Sequence, residues 1–166
     1  MGQAQGAIDA ARAAGADRYA VTEFTAATGA LARSRQAVTE RDYRLALNDA
    51  LESLEHAQNA AREAAETKAR LGAEVERLII EVNALRAEAE RLTTAAADAR
   101  APREALRPQQ EALALATTDL QEANADAAAG DLTAASASLA GTKQQLTAIV
   151  AALDALVTAQ APRRRR

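Results

Sequence analysis

The sequence predicts an all-α fold, an elongated antiparallel helical bundle, and three observations carry that expectation. The first is a single seam spaced alternately four and three residues: Tyr43, Leu47, Ala50, Leu54, Ala57, Ala61, Ala64, Lys68, Leu71, Val75, Leu78, Val82, Leu85, Ala89, Leu92, Ala96 and Ala99. Every slot but Lys68 is apolar, and no Pro lies between Asp42 and Ala101. That is the mark of one long helix buried along one stripe. The second is composition: Ala, Leu, Glu, Arg and Gln dominate, and β-branched runs are nearly absent, which favours helix over strand. The third is matched length. Residues 71–99, about 102–129 and 131–160 are of similar extent, as a three-helix bundle with short links requires.

Taken in order, a first helix spans about Ala4 to Ala14 and stops at Gly15, a residue suited to the left-handed conformation after a helix. Asp17 to Val21 read as a connector. Thr22 is the expected N-cap of a second helix that carries Phe24, Ala27, Leu31 and Val38 and breaks near Glu40-Arg41. Asp42 then caps the long third helix, whose stretch of about 58 residues gives a rod of roughly 87 Å at about 1.5 Å per residue. Gly72 lies inside it, after the polar seam residue Lys68, and reads either as a joint between two bundles or as a tolerated exposed Gly costing about 1 kcal/mol relative to Ala. Ala101-Pro102 and Arg107-Pro108 end the long helix. The Leu line continues in phase through Leu106, Leu113 and Leu120, but Arg103, Gln110, Thr117 and Asn124 would then fill its other slots. Two interior prolines would also cost roughly 3 kcal/mol each. A turn near 100–108 is therefore expected, with a fourth helix from about Pro108, or from Pro102, to Ala129. Gly130-Asp131 is a stop and restart. The fifth helix carries Leu132, Ala135, Leu139, Thr142, Leu146, Ile149, Leu153 and Leu156, and Ala161-Pro162 closes it.

These segments predict an N-terminal helical bundle over 1–70, a C-terminal three-helix bundle over 71–161 continuous with it, and a basic tail over 162–166. The long helix is shared, as in a spectrin-like rod. The expected core includes Leu78, Leu85, Leu139 and Leu146 in one bundle. Of the 49% hydrophobic residues, 49 are Ala, and there are one Phe, two Tyr and no Trp. Thin Ala and Leu seams between closely approaching helices suit so little bulk.

Net charge is −3; setting aside Arg163–Arg166 leaves 16 basic residues against 23 acidic, or −7. An acidic body lacks the contiguous basic surface that nucleic acid requires. No Cys is present, so disulfides and thiolate metal sites are excluded. No run of 18 apolar residues would span a membrane. The start, Met1-Gly2-Gln3-Ala4, has no signal-peptide or myristoylation pattern. The expected location is the periplasm, or association with the outer membrane, if a targeting segment has been removed, and otherwise the cytoplasm.

Chemistry is nearly silent. His56 is the only histidine, with Glu52 and Glu55 beside it on the helix. Without a second His or any Cys, it reads as a solvent-facing side chain with an i,i+4 Glu rather than as a metal or acid–base site. Glu74, Glu81 and Glu88 follow the heptad on one flank, interleaved with Arg70, Arg77, Arg86 and Arg91, as coiled-coil surface charge does. No phosphate loop, nucleophile elbow or metal spacing occurs. No catalytic, cofactor-binding or metal residue is assigned, and a non-enzymatic protein is expected. The Arg163–Arg166 run can complement the negative end of the fifth helix, meet an anionic surface, or mark the join to further sequence. The expected partner-facing surface is the outer line of the fifth helix, Ala137, Gln144, Ala151 and Thr158, flanked by the small residues Ala134, Gly141, Ala148 and Ala155. Only Lys143 and Asp154 are charged across 132–160, and a small uncharged face suits helix-on-helix contact.

Ala7-Ile8, Ala10-Ala11, Ala14-Gly15-Ala16, Tyr19-Ala20, Leu31, Asp42-Tyr43 and Ala46 together resemble a bacterial envelope domain of unknown function, over about residues 7 to 65. That domain occurs in lipoproteins and ahead of OmpA-like, peptidoglycan-binding modules. The resemblance implies a helical envelope protein with protein partners, OmpA-like ones included, and carries no activity. The expected function is a helical spacer or adaptor of the bacterial cell envelope that works through protein–protein contacts, self-association included. Its rivals are an amphipathic protein that opens onto a lipid surface and a cytoplasmic parallel coiled-coil dimer. The mainly acidic flanks of the stripes argue against the first.

Overall fold

The computed structural model describes residues 1–160, and the described chain is all helix and turn: α1 (Gly2–Ala13), α2 (Ala16–Tyr19), α3 (Val21–Thr39), α4 (Tyr43–Asp98), α5 (Arg103–Ala128) and α6 (Leu132–Gln160). The Arg163–Arg166 run lies outside the described residues. The chain forms two compact units whose boundary falls between Arg70 and Leu71, inside α4.

Three interhelical turns share one construction. In each, a residue in the left-handed conformation follows the helix: Arg41 (φ 65°), Arg100 (φ 60°) and Gly130 (φ 81°). Its N–H donates to a carbonyl three residues back, and the next N–H donates five back: Asp42 to Ala37, Ala101 to Ala96, Asp131 to Asp126. This is the Schellman closure of a helix C-terminus. Asp42 and Asp131 then open the following helix, each carboxylate accepting the N–H three residues on, Leu45 at 3.0 Å and Ala134 at 3.1 Å. One aspartate thus ends one helix and starts the next.

In the first unit, α3 lies along α4 on small residues. Ala27, Ala30, Ser34 and Ala37 of α3, and Ala46, Ala50, Ser53, Ala57 and Ala60 of α4, are buried. The two serines close the contact reciprocally: Ser34 Oγ donates to Ala46 O at 2.7 Å, and Ser53 Oγ donates to Ala27 O at 2.8 Å. Only small side chains allow such close approach of two backbones. Helix α1 packs onto this pair through Ala4, Ile8 and Ala11, against Phe24, Leu31, Leu54 and Ala61.

Four expectations are corrected here. The connector Asp17–Val21 is mostly a helical turn, α2, because Tyr19 and Ala20 N–H donate to Gly15 and Ala16 O. Thr22 is not a cap: α3 begins at Val21, and Phe24 N–H already bonds Ala20 O. Val38 is exposed. So are the first two seam residues, Tyr43 and Leu47. Over 46–64 the buried line of α4 runs through Ala46, Asp49, Ala50, Ser53, Ala57, Ala60 and Ala64, turned toward α3 and away from the larger apolar side chains.

In the second unit most of the seam is buried as expected. Val75, Leu78, Val82, Ala89, Leu92 and Ala96 pack with Leu106, Ala116, Leu120 and Ala123 of α5 and with Ala135, Leu139, Leu146, Ile149 and Leu153 of α6. Leu85 is only half-buried against this core. Helix α5 starts at Arg103 after Pro102, so the expected stop at Arg107-Pro108 is corrected: Pro108 lies inside α5, in its second turn and exposed to solvent. Gly72 continues the helix, and a Cβ there would meet only Leu132 Cδ1, at 4.0 Å.

Candidate interaction surfaces

His56 belongs to a polar clip between α3 and α4. Its Nδ1 lies 2.8 Å from Glu23 Oε2, and its Nε2 lies 3.8 Å from Glu52 Oε1. Arg33 extends the clip, donating to Glu52 at 2.8 Å and to Asp49 at 3.4 Å. The Glu52 hydrogen bond, before all else, holds the Arg33 guanidinium above its ordinary value. The expected solvent-facing His is therefore half-buried, and its nearest partner, Glu23, comes from another helix. Glu55 takes no part. Nothing local in the sequence pairs residues 23 and 56, since the contact depends on the register of α3 on α4. Among the described residues, no group of three or more His, Cys, Asp or Glu could hold a metal ion. The clip's chemistry is that of a tie between helices.

The heptad carboxylates of the second unit are likewise engaged. Glu81 accepts from Arg77 on its own helix, and its other oxygen lies 2.7 Å from Lys143 Nζ of α6. Lys143 and then Arg77 hold the Glu81 carboxyl below its ordinary range. Arg91 does the same for Glu88. An open depression of about 700 Å³ at the α4–α5 turn is lined by Arg100, Arg103, Arg107, Ala97, Ala101, Leu106 and Gln110. Arg107 is paired with Glu111, and no nucleophile or acid–base pair faces this space.

The outer line of α6, Ala137, Gln144, Ala151 and Thr158, is exposed along its length, as are Gly141, Ala148 and Ala155. The face is small and uncharged, and it exposes no large apolar side chain.

The larger apolar exposure lies in the first unit. Tyr43 is 67% exposed, Leu47 60%, Leu51 55% and Val38 of α3 40%. Their placement follows from the length of α1. That helix fills a groove whose walls are Phe24 and Leu31 on α3 and Leu54 and Ala61 on α4. Each wall continues two helical turns further, to Val38 seven residues after Leu31 and to Leu47 seven residues before Leu54. Helix α1 begins at Gly2, with Ala4 beside Leu31 and Ala57 and Gln5 Oε1 accepting from Arg35 at 2.8 Å, and Val38, Tyr43, Leu47 and Leu51 stay exposed. Leu45 is also exposed but lies on the other side of α4, beside Ala37 and Asp49. The α4 seam of the sequence analysis contained Tyr43 and Leu47 but took them as core. A count of the helices available to cover them would have marked the ledge.

No known protein family matches this chain, and no curated protein or solved structure is detectably similar to it. Among the described residues, no helix is long and apolar enough to cross a membrane.

Proposed function

We propose that this protein is a non-enzymatic helical spacer or adaptor of the bacterial cell envelope, acting through protein–protein contacts at the Val38–Tyr43–Leu47–Leu51 ledge. The observation that carries the reading is the ledge itself. Four large apolar side chains, Val38 of α3 and Tyr43, Leu47 and Leu51 along one stripe of α4, are exposed next to the part of the α3–α4 pair that α1 covers. A contiguous apolar patch on an otherwise charged surface is a contact site by default, and a groove that already seats one helix suits another. The envelope location is supported by the residue pattern over 7 to 65, which resembles a domain found in lipoproteins and ahead of OmpA-like modules. The outer line of α6 is a second, weaker contact face, because it is uncharged but offers little apolar area.

The test is site-specific photo-cross-linking in cells that express the natural gene, with the reactive residue at Leu47, at Gln144 and at exposed Arg62. The reading expects discrete adducts from Leu47, few from Gln144 and none from Arg62, all in the envelope fraction. Equal cross-linking at the three positions would overturn the assignment of the ledge, and adducts confined to cytosolic proteins would overturn the location. Flotation with vesicles that depends on Leu47 would favour the lipid-surface rival instead.

A further inference from the structure

We infer that the ledge pairs with the same ledge of a second copy of this chain, the two α4 helices lying antiparallel. The inference rests on the adaptor reading and names its first partner. Continuity with the α1 seat sets the kind of occupant. The walls that hold Ala4 and Ile8 of α1 are Leu31 on one side and Leu54 on the other, and their extension through Val38 and Leu47 fits a helix with an aliphatic stripe. Helix α4 carries an apolar stripe of its own in Tyr43, Leu47 and Leu51.

Charge selects the second copy and its direction. Arg44 and Glu55 sit on one flank of the stripe, about three turns apart. Both are exposed, and neither has an ion-pair partner among the described residues. A two-fold antiparallel pair keeps like flanks on the same side, so Arg44 of each copy meets Glu55 of the partner subunit. That register also sets Leu47 beside Leu51 of the partner subunit, on the part of the stripe that α1 leaves exposed. A parallel two-fold pair puts like flanks on opposite sides, so Arg44 would not meet Glu55 and this complementarity would be lost.

Size sets the strength. The four ledge residues expose on the order of 400 Å² of side-chain surface, so a pair buries about 800 Å² from them, below the roughly 1,200 Å² of stable interfaces. The pairing is accordingly reversible and concentration-dependent.

Sedimentation equilibrium of the full chain over rising concentration tests it. The expected result is a monomer–dimer equilibrium that weakens with salt. Leu47→Glu should raise the dimer Kd at least about tenfold and leave helix content and melting unchanged, because the side chain is exposed. Arg44→Glu and Glu55→Arg should each weaken the dimer, and the two together should restore it. A monomer throughout, a dimer indifferent to Leu47→Glu, or a double variant no better than the singles would each overturn the pairing. The adaptor reading fails separately. A monomeric chain whose Leu47 still cross-links to other proteins sinks only the self-pairing, whereas a Leu47-dependent dimer without other adducts sinks only the adaptor.

Discussion

The two units use one helix, α4, for opposite kinds of core. From Leu71 onward, α4 packs through Val75, Leu78, Val82 and Leu92 against leucines and an isoleucine on two further long helices. Before Arg70, it packs through Ala46, Ala50, Ser53, Ala57 and Ala60, and its larger side chains at 43, 47 and 51 face outward. The difference teaches that an unbroken seam does not guarantee an unbroken core. In the second unit two long helices pack along the seam, so most of its face is covered. In the first unit α3 docks on small residues and serines, and α1 packs near Leu54–Ala64. A thin alanine core buries little area per residue, at about 25 cal/mol per Å², and it leaves surface available for contact.

Large-to-small and small-to-large substitutions should therefore act in opposite senses in the two units. Leu139→Ala, at a fully buried α6 site, should cost about 3–5 kcal/mol by denaturant melts through lost burial and a cavity. A cost below 1 kcal/mol would mean that the second core is loosely packed. In the first unit the damaging change is enlargement. Ala57 is fully buried between α1 and α3, and Ala57→Leu should destabilise by about 1–3 kcal/mol, with faster hydrogen exchange in α3. A neutral Ala57→Leu would show that the helices can spread, contrary to the serine-closed contact.

Ser53→Ala should cost about 1 kcal/mol, since its hydroxyl is buried and bonds Ala27 O across the helix pair. The equivalent change at exposed Ser138 of α6 should cost almost nothing.

Two of the three Schellman turns place Arg where Gly is the better residue. Arg100→Gly and Arg41→Gly should each raise stability by up to about 1 kcal/mol, because an L side chain is disfavoured at positive φ. Loss of stability on either change would mean that the arginine side chain makes a contact worth more than the backbone relief.

The smallest effect concerns pH. The folded-state pKa of Glu81 lies below its ordinary value of 4.5. Its contribution is therefore fully present above that value and is lost as pH falls through the folded-state pKa. Glu81→Gln should flatten the decline of melting temperature on acidification, while Gln substitution at exposed Glu63 should not. Equal acid sensitivity in both variants would remove the Lys143–Glu81 tie from the account of the second unit.

Much of the fold was legible because helices are local. The Ala–Leu composition, the four-three spacing and the stop signals at Gly15, Glu40-Arg41, Ala101-Pro102 and Gly130-Asp131 act within a few residues of chain. Each of these stops marks a turn in the structure, whereas Arg107-Pro108, read the same way, falls inside α5. Cap positions were less legible, and Thr22 failed because α2 supplies the preceding turn through backbone bonds alone. The candidate surface was legible only in part, as apolar residues rather than as an exposed ledge.

What the sequence determined by itself is the all-α class, the order of the helices and the heptad line of the second unit, since periodicity and capping depend on near neighbours. Tertiary structure alone decided which side of α4 is buried before Arg70, the meeting of Glu23 with His56, and the exposure of Tyr43, Leu47 and Leu51. The physical reason is that a helix offers several apolar faces, and which one is buried depends on the length and position of distant helices. That information lies in no local window of the chain.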